Sequence, residues 1–170
     1  MDDAGAIQGD PACLDRHPRL RVVLDWWGRH HVEFGRLPSR RDIDPLRLKP
    51  ALAMLAIAEY HATARRIRFR LVGTAVNDGY GQGELTGRFL DQIVQPADHR
   101  RLIDTVERVI STARPDCRPR TVTRPNDGRL VSFDRLLLPL RPLPGEPPML
   151  LAAFGPLTVR KPSLGPGSGR

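Results

Sequence analysis

Three sets of residues in this sequence could do chemistry: the histidines, two cysteines and a run of glycines between positions 73 and 87. The stretch GTAVNDGYGQG (73–83) has the composition of a phosphate-binding loop without its spacing. A P-loop requires GxxxxGK[ST], and no lysine follows here; a dinucleotide fingerprint requires GxGxxG, whereas Gly79, Gly81 and Gly83 simply alternate. Short-turn backbone geometry is the reading these glycines support best. His30 and His31 lack a metal partner at i+4, and packing or surface roles fit them better than ligation. Cys13 and Cys117 lie far apart with no CxxC; two free thiols are expected in a cytosolic setting, a single bridge between them being the alternative. Neither GxSxG nor HExxH occurs, and Asp98 and His99, adjacent on a helix, do not face each other. The sequence therefore predicts no catalytic residue, no metal site and no enzymatic activity.

The formal charge of +8 invites a nucleic-acid reading, because arginine clusters neutralise phosphates. The basic residues are instead spread along the chain in pairs such as Arg40-Arg41, Arg65-Arg66 and Arg100-Arg101, which predicts a solvated basic surface rather than a nucleic-acid footprint. No apolar run approaches the roughly 20 residues that span a bilayer, and the opening MDDAGAIQGD lacks a signal pattern. A cytoplasmic protein with no membrane partner is expected.

The elements that must position any site follow from periodicity. Residues 1–16 show little pattern and are expected to be mobile. Leu20, Val23, Leu24, Trp27, His31 and Phe34 form one stripe of a helix, with Pro18 at its first position and Gly35 just past its end. This helix and a connector occupy 17–50. In the connector, Ser39 and Asp42 have the spacing of a capping box, and Asp44 can cap a second turn; Arg40 or Arg41 contacting a ligand is the alternative use of this segment. Residues 51–60 read equally as a helix or as a strand buried on both faces. Ile67, Phe69 and Leu71 alternate as a strand, and Leu102, Ile103, Val106, Val109 and Ile110 mark a second helix beginning at Pro96. Strands are expected at 118–124, 130–140 and 149–157, the first two joined by an Asp127-Gly128 turn. Three consecutive leucines at 136–138 break the alternation and suggest a bulge or a contact between sheets. The tail, 158–170, is expected to be disordered.

LPSRRDIDP (37–45), RLVGT (70–74) and LTGR (85–88) together resemble the PAS-like domain family of proteobacteria, the likeness covering most of the chain. The resemblance implies an α+β fold: a PAS-like five-stranded antiparallel sheet with helices on one face and an added N-terminal helix. It places the first strand at 51–60 and the domain at 51–157. It also implies a ligand pocket between sheet and helices, for which Val76, Tyr80, Phe89, Ile93, Leu102, Val106, Phe133 and Phe154 are the candidates, simple core packing being the alternative role of each. Haem-binding relatives use a helix histidine, but His99 lies opposite the apolar stripe. Flavin photosensors carry a cysteine before their RFL, where this chain has Gly87. No cofactor is therefore predicted, though an unidentified small molecule could fill the pocket. The expected function is a stand-alone sensory or signalling module acting through ligand binding and protein contact. Its expected partners are a second copy of the chain, as a homodimer, and an unidentified signalling protein. The expected dimer interface is the stripe of Leu20, Val23, Leu24, Trp27 and Phe34, since relatives associate through a helix before the first strand; the outer face of the chain's own sheet is the alternative cover for it. A nucleic-acid-associated regulator and a small-molecule-binding enzyme are the rival readings.

Overall fold

The computed structural model describes residues 7–162. In chain order the elements are β1 (Gln8–Gly9), α1 (Ala12–Arg16), α2 (Pro18–Phe34), β2 (Leu55–His61), β3 (Arg66–Val72), α3 (Thr74–Tyr80), α4 (Pro96–Thr112), β4 (Asp116–Thr123), β5 (Leu130–Leu140), β6 (Met149–Phe154) and β7 (Thr158–Arg160). The strands lie in the order β1-β4-β5-β6-β2-β3, with β7 on β5. The five strands β4, β5, β6, β2 and β3 form the expected antiparallel sheet. Two short strands extend it: β1 runs parallel to β4, and β7 pairs with β5 opposite Leu130 to Ser132.

Each face of the sheet has its own hydrophobic core. On the inner face, α3 and α4 cover Ala58, Phe69, Phe133, Leu137 and Leu150. On the outer face, Leu20, Val23, Trp26 and Trp27 of α2 join Leu136, Leu138, Leu151 and Ala153. The indole Nε1 of Trp27 donates to the carbonyl of Pro139 at 2.9 Å. That pairing leaves no buried indole N–H unpartnered. The two cores explain the leucine run in β5. Leu136 and Leu138 serve the outer core and Leu137 the inner one, so the strand stays in register with both neighbours and needs no bulge. The bulge lies instead between Ile57 and Ala58, where β2 meets β3.

Four expectations are corrected. The strand placed at 51–60 begins only at Leu55, because Lys49–Met54 is a 3-10 helix with Pro50 in its first turn. The helical propensity of Ala51, Leu52 and Met54 is thus expressed locally before the sheet takes over. The N-terminal segment is not loose over its described part: β1 hydrogen-bonds to β4, and Asp10 donates its N–H to the Cys117 carbonyl at 2.6 Å. A disulfide joins Cys13 to Cys117, whose Cα atoms are 6.5 Å apart, in place of two free thiols. The tail likewise starts with a strand, β7, while the expectations for residues 1–6 and 163–170 fall outside the described residues. The connector is as expected. Ser39 N and Oγ both bond the Asp42 carboxylate, at 2.8 and 2.7 Å, and Asp44 accepts from Leu46 N at 2.9 Å.

Candidate functional site

The candidate pocket residues lie together, but as packing. Val76, Tyr80, Ile93, Leu102, Val106, Phe133 and Phe154 are all buried in the inner core. The Tyr80 ring stands 5.8 Å from Phe133 and 6.5 Å from Phe154, and Phe133 meets Phe154 edge-on at 5.2 Å. These rings fill the space between α3 and the sheet. Burial pushes the Tyr80 phenol well above its ordinary range, so its hydroxyl stays protonated. Phe89 is elsewhere: it bridges to Arg68 on the edge of the sheet, beneath the Arg66 guanidinium at 3.7 Å.

A cavity of about 510 Å³ opens where this core reaches the surface. Met54, Ala75, Phe154, Pro156 and Leu157 supply apolar walls, and Arg16, His17 and Arg19 supply a polar rim. The rim is built around His17, the single residue that separates α1 from α2. His17 Nε2 lies 2.8 Å from Asp134 Oδ2, and Arg16 grips both carboxylate oxygens, from Nε at 2.9 Å and Nη2 at 3.2 Å. Burial alone would raise the Asp134 carboxyl, but the hydrogen bonds from Arg16 and His17 hold it below the ordinary carboxylate range. Gly155 makes this approach possible, since a Cβ there would sit 2.9 Å from His17 Nε2. A histidine–aspartate pair can activate a nucleophile, yet no Ser, Thr, Cys or Lys is among the residues lining this cavity. Apolar walls under a polar rim, in which Arg16 is held by Asp134 and Asp10 and Arg19 is the further cation, suit binding of an amphipathic molecule with an acidic end.

The outer stripe is covered by the chain itself. Leu20, Val23 and Trp27 are buried against the sheet, and Leu24 is half-buried; Phe34 is exposed and Val32 is 85% exposed. The helix covers the apolar outer face of the sheet together with Cys13 and Leu14 of α1 and with Leu48 and Ala51, so three of the five candidate interface residues are turned inward. In the connector, Arg40 pairs with Glu146 at 2.7 Å and Arg36 with Asp42 at 3.0 Å. The latter bond, with those from Ser39, holds the Asp42 carboxyl far below the ordinary carboxylate range despite partial burial. His99 is half-buried, and burial lowers its pKa. Among the described residues no group of His, Cys, Asp and Glu could hold a metal ion, and no helix is long and apolar enough to cross a membrane.

Sequence reasoning missed the rim and one buried cation. His17 and Asp134 are remote in sequence, and only the docking of the α1–α2 junction on β5 brings them together. Arg135 was legible in principle. It falls in the period-two series Val131, Phe133, Arg135, Leu137, all on the inner face.

Comparison with known protein families shows where the chain belongs. The chain matches the PAS domain family over residues 15–155 and belongs to that family. Among solved structures it is similar to the PAS domain from Bordetella pertussis BvgS, at 20% identity over 61% of this chain and 76% of that chain, with a TM-score of 0.43. No curated protein matches.

Proposed function

We propose that this PAS domain is a sensory module that binds a small amphipathic acid in the cavity at the α1–α2 junction and signals by protein contact, without catalysis. The observation that carries the reading is the cavity itself: about 510 Å³, within the range of small-molecule sites, with apolar walls and a rim of Arg16, His17 and Arg19. Its walls come from α3, the end of β6 and the segment after it, while its rim belongs to the N-terminal segment. A ligand bridging the two would therefore couple the sensing core to α2. The α2 surface turned to solvent, with Leu24, Val32 and Phe34, is the proposed contact with a second copy. The rival nucleic-acid reading loses support from the ion pairs: Arg16, Arg40, Arg65, Arg66 and Arg70 each engage a carboxylate. Octanoate tests the ligand reading. It should raise the Tm of the parent saturably and leave Ala75→Trp, whose indole fills the cavity, unmoved; an equal rise in both would place binding elsewhere.

A further inference from the structure

The inner face of the sheet carries more positive charge than its own carboxylates neutralise. Strands β4 and β5 pair so that Arg118 stands opposite Arg135 and Arg120 opposite Phe133, which puts Arg120 and Arg135 on diagonal positions of the same face. Asp116, fully buried, is the acceptor for both Arg118 and, from α4, Arg108 at 3.2 Å. Asp98 is also engaged, by Arg101 and by the N–H of Thr123 at 2.7 Å. Arg120 donates one Nη2 bond to Thr105 at 2.8 Å, and its Nε is buried without a partner. Arg135 is only 6% exposed, and its Nε and Nη2 are both buried without a partner.

A buried guanidinium with idle donors is costly, and a second one on the neighbouring strand adds repulsion. Burial lowers the pKa of both, and Arg135 contributes to the fall of Arg120 to about 10; a guanidinium nonetheless keeps its charge at neutral pH inside a protein. A water molecule could accept these hydrogen bonds but would leave the charges uncompensated. A cleft of about 170 Å³ between α4 and β4 leads to Arg120, past Arg101, Asp98 and Thr121. That volume admits a group of a few heavy atoms and nothing larger.

We infer that Arg120 and Arg135, with the Thr105 hydroxyl bonded to Arg120, form a binding site for a small oxyanion, a short carboxylate or inorganic phosphate, on the inner face of the sheet. The guanidinium fork matches either geometry, each anion accepting the N–H groups that the protein leaves unpaired. The site is separate from the cavity at the α1–α2 junction and does not rest on the ligand proposed there.

The test is thermal melting of the whole chain in chloride buffer, with acetate or phosphate replacing chloride at constant ionic strength. One of them should raise Tm saturably, by about 5–10 °C at a hundredfold excess over Kd. A response to acetate alone would assign a carboxylate site, and to phosphate alone a phosphate site. Arg135→Met should lose the response and, without anion, melt at or above the parent, because the orphan charge is gone. If Arg135→Met fails to fold, Arg120→Gln is measured in its place and should weaken binding at least tenfold. No response of the parent to either anion, or an undiminished response in the substituted protein, would overturn the site.

Discussion

On the outer face of the sheet, α2 presses Leu20, Val23 and Trp27 onto leucines of β5 and β6, and the Cys13–Cys117 disulfide fastens the segment that leads into it. On the inner face, α3 and α4 cover an aromatic cluster of Tyr80, Phe133 and Phe154, but the same face carries Arg118, Arg120, Arg135 and Asp116 along β4 and β5. Apolar packing and a covalent link therefore close one face, while the other holds buried charge and ends in a cavity. The difference teaches where to look for response. A face closed by shape and a cross-link resists change, whereas a face with unpaired donors and unfilled space gains free energy from a ligand.

The comparison breaks most easily at Trp27. Its ring is buried and its N–H is bonded to Pro139, so Trp27→Ala should cost about 3–5 kcal/mol of stability by urea titration. A loss below about 1 kcal/mol would mean that α2 is not part of the core, as the dimer-interface expectation would have it.

Reduction of the disulfide is the next largest effect. Opening a link across 104 residues of sequence should lower stability by about 2–4 kcal/mol, and the Cys13→Ser, Cys117→Ser double variant should match the reduced parent. An unchanged urea midpoint under reductant would show that packing alone fastens the N-terminal segment.

A smaller effect separates the connector from both faces. The Asp42 carboxyl titrates below its ordinary value because Arg36 and Ser39 bond its charged form. Its folded pKa is depressed, so its stabilisation is complete above the ordinary carboxylate pKa of about 4 and is lost as pH falls further. Asp42→Asn should flatten the decline in urea midpoint below pH 4 and lower the midpoint at pH 7 modestly. An identical acid limb in both proteins would show that Asp42 does not contribute to acid sensitivity.

Much of this fold was legible in the sequence, for identifiable reasons. The α2 stripe, Pro96 at the head of α4, and the Ser39–Asp42 cap are local patterns whose physics is complete within one element. Gly87 of the LTGR motif adopts a positive φ, +84°, a conformation that glycine takes without strain. What the sequence could not reveal depends on pairing at long range. The stripe of α2 has the same pattern whether it meets a sheet or another copy, and only the fold shows an uncovered leucine face on β5 and β6 waiting for it. Of the eight candidate pocket residues only Phe154 lines the cavity at the α1–α2 junction. Whether Tyr80, Phe133 and Phe154 surround space or fill it is decided by distances of an ångström or two. The rim of His17, Arg16 and Asp134 required the junction before α2 to fold back across β5, which no spacing announces.

The claim that this domain holds a small molecule at the α1–α2 junction is tested most directly by a mass spectrum of what the freshly purified protein releases on denaturation. The account predicts an amphipathic acid released by the parent and none by folded Ala75→Trp. The same molecule released equally by both proteins, or no molecule from either together with no response of Tm to octanoate, would contradict it.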